Sequence, residues 1–172
     1  MHVLVATDGK LEPSQVVSYI APLAKDDTVT VITVTEIPRT LLRDLRSDFG
    51  EQPGPSVATD AEYVGVSGGG SDPSIGYPGD DAIVAQYLTS REVAVCAPIV
   101  DALVEAGITC ASESLEGENA AATIIGEIRS REIDLVVIGS HGQGRFEGLL
   151  GSTGAKVTRR STVPVLLLRE AD

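Results

Sequence analysis

Five short apolar runs, residues 3–7, 28–35, 108–114, 134–139 and 163–168, are separated by stretches with helical spacing. Each run is rich in Val, Ile, Leu or Thr and is too short for a core helix, so each reads as a strand. Residues 13–24, 81–106 and 118–131 carry apolar side chains three and four apart, the spacing of one helix face. In the second of these, Ile83, Val84, Tyr87, Leu88, Ile99, Val100, Leu103 and Val104 form the stripe, with a possible break at Pro98. In the third, Ala122, Ile124, Ile125 and Ile128 face inward. Residues 155–160 suit one further helix. Strands that alternate with helices require a parallel sheet covered on both faces, a three-layer α/β/α, Rossmann-like architecture. At 172 residues the chain is expected to be a single domain, 1–172. Residues 36–48 suit a short amphipathic helix through Leu41, Leu42 and Leu45. Residues 49–80 hold Gly68, Gly69 and Gly70 and several prolines without any period, and read as a flexible insertion within the domain.

The formal charge of −12 argues against nucleic acid and anionic membranes as partners. Lys10, Lys25 and Lys156 are the only lysines. An acidic, lysine-poor surface suits a salt-rich cytoplasm, where screening weakens self-repulsion, and so fits a halophilic archaeal source. An ordinary acidic bacterial protein is the alternative. No run approaches the ~18 apolar residues of a membrane span, and residues 1–8 read as a first strand rather than a leader. A cytoplasmic location is expected. Cys96 and Cys110 lack metal-ligand spacing and read as buried free thiols.

Chemistry concentrates after the fourth strand. Gly139-Ser140-His141-Gly142-Gln143-Gly144-Arg145 runs on to Gly148-Leu149-Leu150-Gly151-Ser152-Thr153, and a helix comes next. A glycine-rich loop between a strand and a helix N-terminus brings backbone N–H groups and a favourable dipole to an anion. Residues 139–160 hold Arg145, Lys156, Arg159 and Arg160 against one acid, Glu147. Arg145 lies within the loop and favours ligand proximity. Arg159 and Arg160 fit either a ligand or the negative end of a helix dipole. No lysine stands where a Walker A loop needs one. Gly142, Gly144 and Gly148 give GxGxxxG, one residue too long for a dinucleotide fingerprint. Ser67-Gly68-Gly69-Gly70-Ser71-Asp72 resembles the SGGxDS pyrophosphatase loop, but its last two residues are exchanged and no strand precedes it. It reads as a linker.

The third phosphate-holding pattern, G-x2-G-x9-G-[ST], is that of the universal stress protein family, which this chain closely resembles. Gly139-x2-Gly142 and Gly151-Ser152 match its two halves. An apolar first strand ending in Asp8 and the closing Ser161-Thr162-Val163-Pro164-Val165-Leu166-Leu167-Leu168-Arg169 match as well. The resemblance covers the chain outside residues 49–80 and their edges. It implies a five-stranded parallel sheet of order 3-2-1-4-5, with strands one and four flanking a ligand crevice. It further implies that Asp8 meets adenine, that a backbone group at Val34 does so too, and that Gly139 and Gly142 approach ribose and phosphates. Gly151, Ser152 and Thr153 would then close over the phosphates, with His141, Gly144 and Arg145 in the same loop. The chain departs from the pattern once: eight residues, not nine, separate Gly142 from Gly151. Asp8 can also open a turn with Gly9 or cap the next helix, and Ser152 or Thr153 can act as helix N-caps without a ligand. His141 has no partner acid or nucleophile that would make it catalytic.

The function expected is a stress-response regulatory protein holding ATP, ADP or AMP, with Mg2+ beside the phosphates. No positioned base, Walker-type lysine or acidic metal cluster supports fast hydrolysis. The alternative is a scaffold of the same fold whose shortened loop has lost the nucleotide. A nicotinamide-dependent enzyme is a third reading, opposed by the glycine spacing. In either of the first two, an apolar last strand at a sheet edge invites a homodimer through Val163, Val165 and Leu167, alongside an unidentified protein partner.

Overall fold

A computed structural model describes residues 1–24, 27–37, 80–140 and 151–169. The expected helix at 36–48 and, but for its last residue, the expected insertion at 49–80 lie outside or at the margin of these. The chain divides into two compact units, Met1–Ile37 with Gln86–Asp172, and Pro38–Ala85. Among the described residues every strand belongs to the first unit.

In chain order the elements are β1 (His2–Ala6), α1 (Pro13–Ile20), β2 (Thr28–Thr35), α2 (Asp80–Glu105), β3 (Cys110–Glu116), α3 (Ala120–Ser130), β4 (Leu135–Gly139), α4 (Ser152–Arg160) and β5 (Val165–Leu168). The five strands form one parallel sheet of order β3-β2-β1-β4-β5, as the resemblance implies. The strand side chains alternate between two cores. Val3, Val5, Val29, Val31 and Val137 pack with Val16 and Ile20 of α1 and with Cys96, Ile99 and Leu103 of α2. Leu4, Ala6, Ile32, Val136 and Ile138 pack on the opposite face with Ile124 and Ile128 of α3 and Val157 of α4. Aliphatic burial on both faces explains why β1 and β4 show continuous apolar runs rather than alternation, while β2 alternates valine with threonines of which Thr30, Thr33 and Thr35 are buried as well.

Several elements begin later than the apolar pattern suggests, each for a local reason. Gly107 adopts φ +80 after α2, and the N–H of Ile108 reaches the Leu103 carbonyl at 2.9 Å. This is a Schellman end, so Ile108 is buried as its hydrophobic clasp and β3 starts only at Cys110. At the last strand the Ser161 hydroxyl bonds both the carbonyl and the N–H of Val163, at 2.7 and 3.1 Å. Pro164 has no N–H to offer, so β5 starts at Val165. Helix α2 runs unbroken through Pro98, which sits on its exposed side. By length and composition α2 is also the one helix among the described residues apolar enough to cross a membrane. Its Val95, Cys96, Ile99 and Leu103 are nonetheless buried in the protein.

Candidate functional site

Strand order reverses between β1 and β4, because β2 and β3 extend the sheet on one side and β5 on the other. The connections leaving β1 and β4 therefore depart in opposite directions and open a crevice at the carboxyl ends of the two strands. Asp8 and Ser140 each lie two residues past the paired Ala6 and Ile138, so the crevice begins level with both.

The β1 side is built by Thr7, Asp8 and Gly9. The Thr7 N–H bonds the Ile32 carbonyl at 2.9 Å, the last bond between β1 and β2. Its buried hydroxyl accepts the Gly9 N–H at 3.0 Å. Asp8 Oδ1 accepts the Lys10 N–H at 3.2 Å, and Oδ2 lies 3.8 Å from Lys10 Nζ. Gly9 takes φ +91, a backbone conformation that glycine adopts without a steric penalty. Asp8 thus does open a turn with Gly9, and its carboxylate is left exposed with one distant cation beside it. The turn and an acceptor role toward a ligand are compatible. Sequence reasoning passed over the hydroxyl of Thr7. The triplet Thr-Asp-Gly after an apolar run was its signal, since Thr and Asp both bond backbone N–H groups two residues on.

The resemblance asks a backbone contact of Val34. In a parallel strand both backbone groups of a residue point to one neighbour, and successive residues alternate. The Ile32 carbonyl bonds β1, whereas the Thr35 carbonyl takes the Gly117 N–H at 3.0 Å on the β3 side. Val34 therefore turns its backbone toward β1, past the point where the bonding to that strand ends. Gly117 passes close to its side chain: a Cβ there would lie 3.2 Å from Val34 Cγ1 and would overlap Thr123 Oγ1.

The β4 side ends in Gly139, over which Leu11 packs. A Cβ there would sit 3.4 Å from Leu11 Cδ2. Ser140 closes the base of the glycine loop: its N–H bonds the Leu168 carbonyl at 2.8 Å, and its carbonyl accepts the Gly151 N–H at 3.0 Å. Residues 140 and 151 are thereby held together, and the first turn of α4 is fixed beside the end of β4. His141, Gly142, Gly144 and Arg145 lie outside the described residues.

Helix α4 begins with buried Gly151 as its N-cap, and among the described residues no side chain caps it. Its first carbonyl bond runs from Ala155 N–H to Gly151 at 2.8 Å. Ser152 and Thr153, weighed as N-caps, occupy the first two helical positions instead. An uncapped N-terminus leaves donors free for an anion. By contrast, α3 is capped by Asn119, whose Oδ1 accepts the Ala122 N–H at 3.2 Å. Arg159 and Arg160 fall in the last turn of α4, at the end remote from Gly151. Of the two roles open to them, the structure supports the helix-dipole one. Among the described residues no group of three or more His, Cys, Asp and Glu side chains could hold a metal ion. His2 lies at the opposite end of the sheet, its ring bonded to Thr30 Oγ1 at 2.8 Å and the Arg131 carbonyl at 3.1 Å.

A family model described as the universal stress protein family matches residues 1–169. A universal stress protein of Mycolicibacterium smegmatis (strain ATCC 700084 / mc(2)155) is 46% identical over 41 residues, 23% of this chain and 14% of that protein. The match thus spans a small part of the relative's length. Among solved structures, hypothetical protein MJ0577 has a TM-score of 0.62 at 15% identity, over 99% of this chain and 96% of its own. A universal stress protein family protein from Arabidopsis thaliana with AMP bound has a TM-score of 0.55 at 14% identity, over 99% and 92%. A universal stress protein in complex with cAMP has a TM-score of 0.53 at 19% identity, over 98% and 96%. At these identities the structural likeness is one of fold. Together with the strand order and the family match over nearly its whole length, it shows that the chain belongs to the universal stress protein family.

Proposed function

We propose that the chain is a cytoplasmic stress-response module that binds an adenine nucleotide, ATP, ADP or AMP, in the crevice between β1 and β4. The bound state would bias its interaction with a protein partner. The observation that carries this reading is the uncapped start of α4, held at the crevice by the Gly151–Ser140 bond. Two proteins of the same fold, one with AMP and one with cAMP, support the ligand class.

The residues present fit such a ligand. The exposed Asp8 carboxylate is an acceptor for the exocyclic amino group of adenine. The Val34 backbone offers a second polar contact beside it. Gly139 would offer its backbone to ribose and phosphates, the space of a missing side chain being taken by Leu11. The N–H groups of Ser152 and Thr153, with their hydroxyls, suit phosphate oxygens, and the helix dipole adds roughly 0.3–1 kcal/mol. His141, Gly142, Gly144 and Arg145 complete the loop by sequence, and Mg2+ would ride on the phosphates.

The shortened loop favours a second reading, a dimeric scaffold without nucleotide. Calorimetric titration of ATP in molar KCl, with a Gly142→Val control, separates the two. Saturable binding lost in the control is the expected result. No heat at several temperatures, and no nucleotide carried through purification, would leave the scaffold.

Both readings include a homodimer through Val163, Val165 and Leu167. Strand β5 is a sheet edge on which Val165 and Leu167 are partly exposed, as is Val163 in the turn before it, whereas the β3 edge carries Glu113 and Glu116. Apolar and uncharged edges pair, and charged ones resist it. Leu167→Asp should yield monomer on a sizing column, and an unchanged dimer would remove this edge as the interface.

A further inference from the structure

Arg91 lies on the inner part of α2, partly buried, and its Nε is shielded from solvent with no hydrogen-bond partner. Among the described residues no acidic side chain pairs with it. A buried, charged donor left unsatisfied is costly and needs a reason.

Its place in the fold supplies one. Two contacts orient α2 across the sheet. Cys110 Sγ, at the start of β3, lies 3.8 Å from the Val100 carbonyl. Val95 Cγ1 lies 3.7 Å from where a Cβ on Gly9 would be, beyond the carboxyl end of β1. The helix therefore runs from the carboxyl ends of the strands toward their amino ends. Arg91 precedes Val95 by four residues, about 6 Å along the axis on the same side of the helix. Helical side chains lean toward the N-terminus, which carries Arg91 further past Gly9. A third contact sets which flank it occupies. Glu92 Oε1 accepts the Ser112 hydroxyl at 2.6 Å, so the Glu92 side of α2 faces β3. Arg91 follows Val95 onto the other side, the side of Gly9 and the end of β1.

We propose that Arg91 is a second anion-binding group of the crevice, taking a phosphate oxygen of the bound nucleotide on the face of the sheet opposite α4. The chemistry suits it. A guanidinium offers a fixed fork of donors that includes Nε, and matches phosphate with two parallel bonds. In a chain of charge −12, a cation beside the crevice also offsets repulsion of an anionic ligand.

This proposal rests on the nucleotide reading, and the test keeps the two apart. Equilibrium dialysis would compare ATP, adenosine and inorganic pyrophosphate on the wild type, Arg91→Gln and Arg91→Lys. The expected result is ATP affinity weakened about ten- to a hundred-fold in Arg91→Gln, the range of a charged hydrogen bond, with adenosine unchanged. Arg91→Lys should fall between, since it keeps the charge and loses the fork; it also carries the test should the glutamine variant not fold. ATP binding unaltered in both variants overturns the proposal and leaves the nucleotide reading intact. Equal losses for ATP and adenosine overturn it too, because the phosphate is then not what Arg91 reads. If the wild type binds no ATP, the nucleotide reading fails and pyrophosphate decides. Pyrophosphate binding that is lost in Arg91→Gln upholds the anion site, and its absence or persistence overturns it.

Discussion

Cys96 is wholly buried where α2 packs on the sheet. Burial, and to a lesser degree the nearby Glu92 carboxylate, push its thiol up to about 11 from an ordinary 9.0. Cys110 is shifted the same way by burial and by Asp101, and is half-buried. Since the thiolate is the reactive form, at pH 8 roughly a thousandth of Cys96 is available by that shift. A thiol reagent should therefore label one cysteine per folded chain slowly and the second only on unfolding. The linkage has a definite sign. Above about pH 9 the unfolded thiol gives up its proton while the folded one keeps it. Stability should fall as pH rises from 9 toward 11. Denaturant titrations across that window should show less of this fall in Cys96→Ala. An equal fall would assign it elsewhere. At this scale the turn at Asp8 and Gly9 was legible in the sequence, because turn chemistry is local, whereas the cap of α4 falls on Gly151 and not on Ser152 or Thr153. Arg91 was not legible. Its significance depends on α2 lying against Gly9, a contact between residues eighty-six apart along the chain.

At the scale of elements, helix α2 shows why Pro98 misleads. A proline within a helix removes one hydrogen bond and crowds the preceding turn. Here the ring lies on the exposed side, while Val95, Cys96, Ile99 and Leu103 bury the opposite one. Burial of about 1.5–3 kcal/mol for each large aliphatic side chain outweighs a local penalty near 3 kcal/mol. Pro98→Ala should then raise stability by about 1–3 kcal/mol, read as a higher denaturant midpoint with an unchanged slope. A lowered midpoint would mean that the ring itself contributes packing. The apolar pattern located β2 at Thr28–Thr35 to the residue, yet set β3 and β5 two residues early. In both cases the extra apolar residue, Ile108 or Val163, is tied into a turn before the strand. Hydropathy alone does not distinguish a buried turn residue from a strand residue.

Across the whole molecule, alternating strands and helices made a parallel sheet legible, since parallel strands need crossovers on both faces, whereas the strand order came from the resemblance alone. A chain of charge −12 carries self-repulsion that salt screens within about 10 Å at 0.1 M and within about 3 Å at 1 M. Thermal stability should therefore climb from low salt to molar KCl, and most of the gain should appear with any monovalent salt. A melting temperature indifferent to salt would oppose the salt-adapted reading of this acidic, lysine-poor chain.

The central claim is that a nucleotide phosphate sits at the start of α4, with the base beside Asp8. Proton–nitrogen amide spectra recorded as ATP is added test it most directly. Shifts should saturate at Gly151, Ser152 and Thr153, with a second group at Asp8 and Gly9, while Arg159 and Arg160 at the far end of α4 stay still. Binding that moves other amides and leaves those of Ser152 and Thr153 unmoved would contradict it.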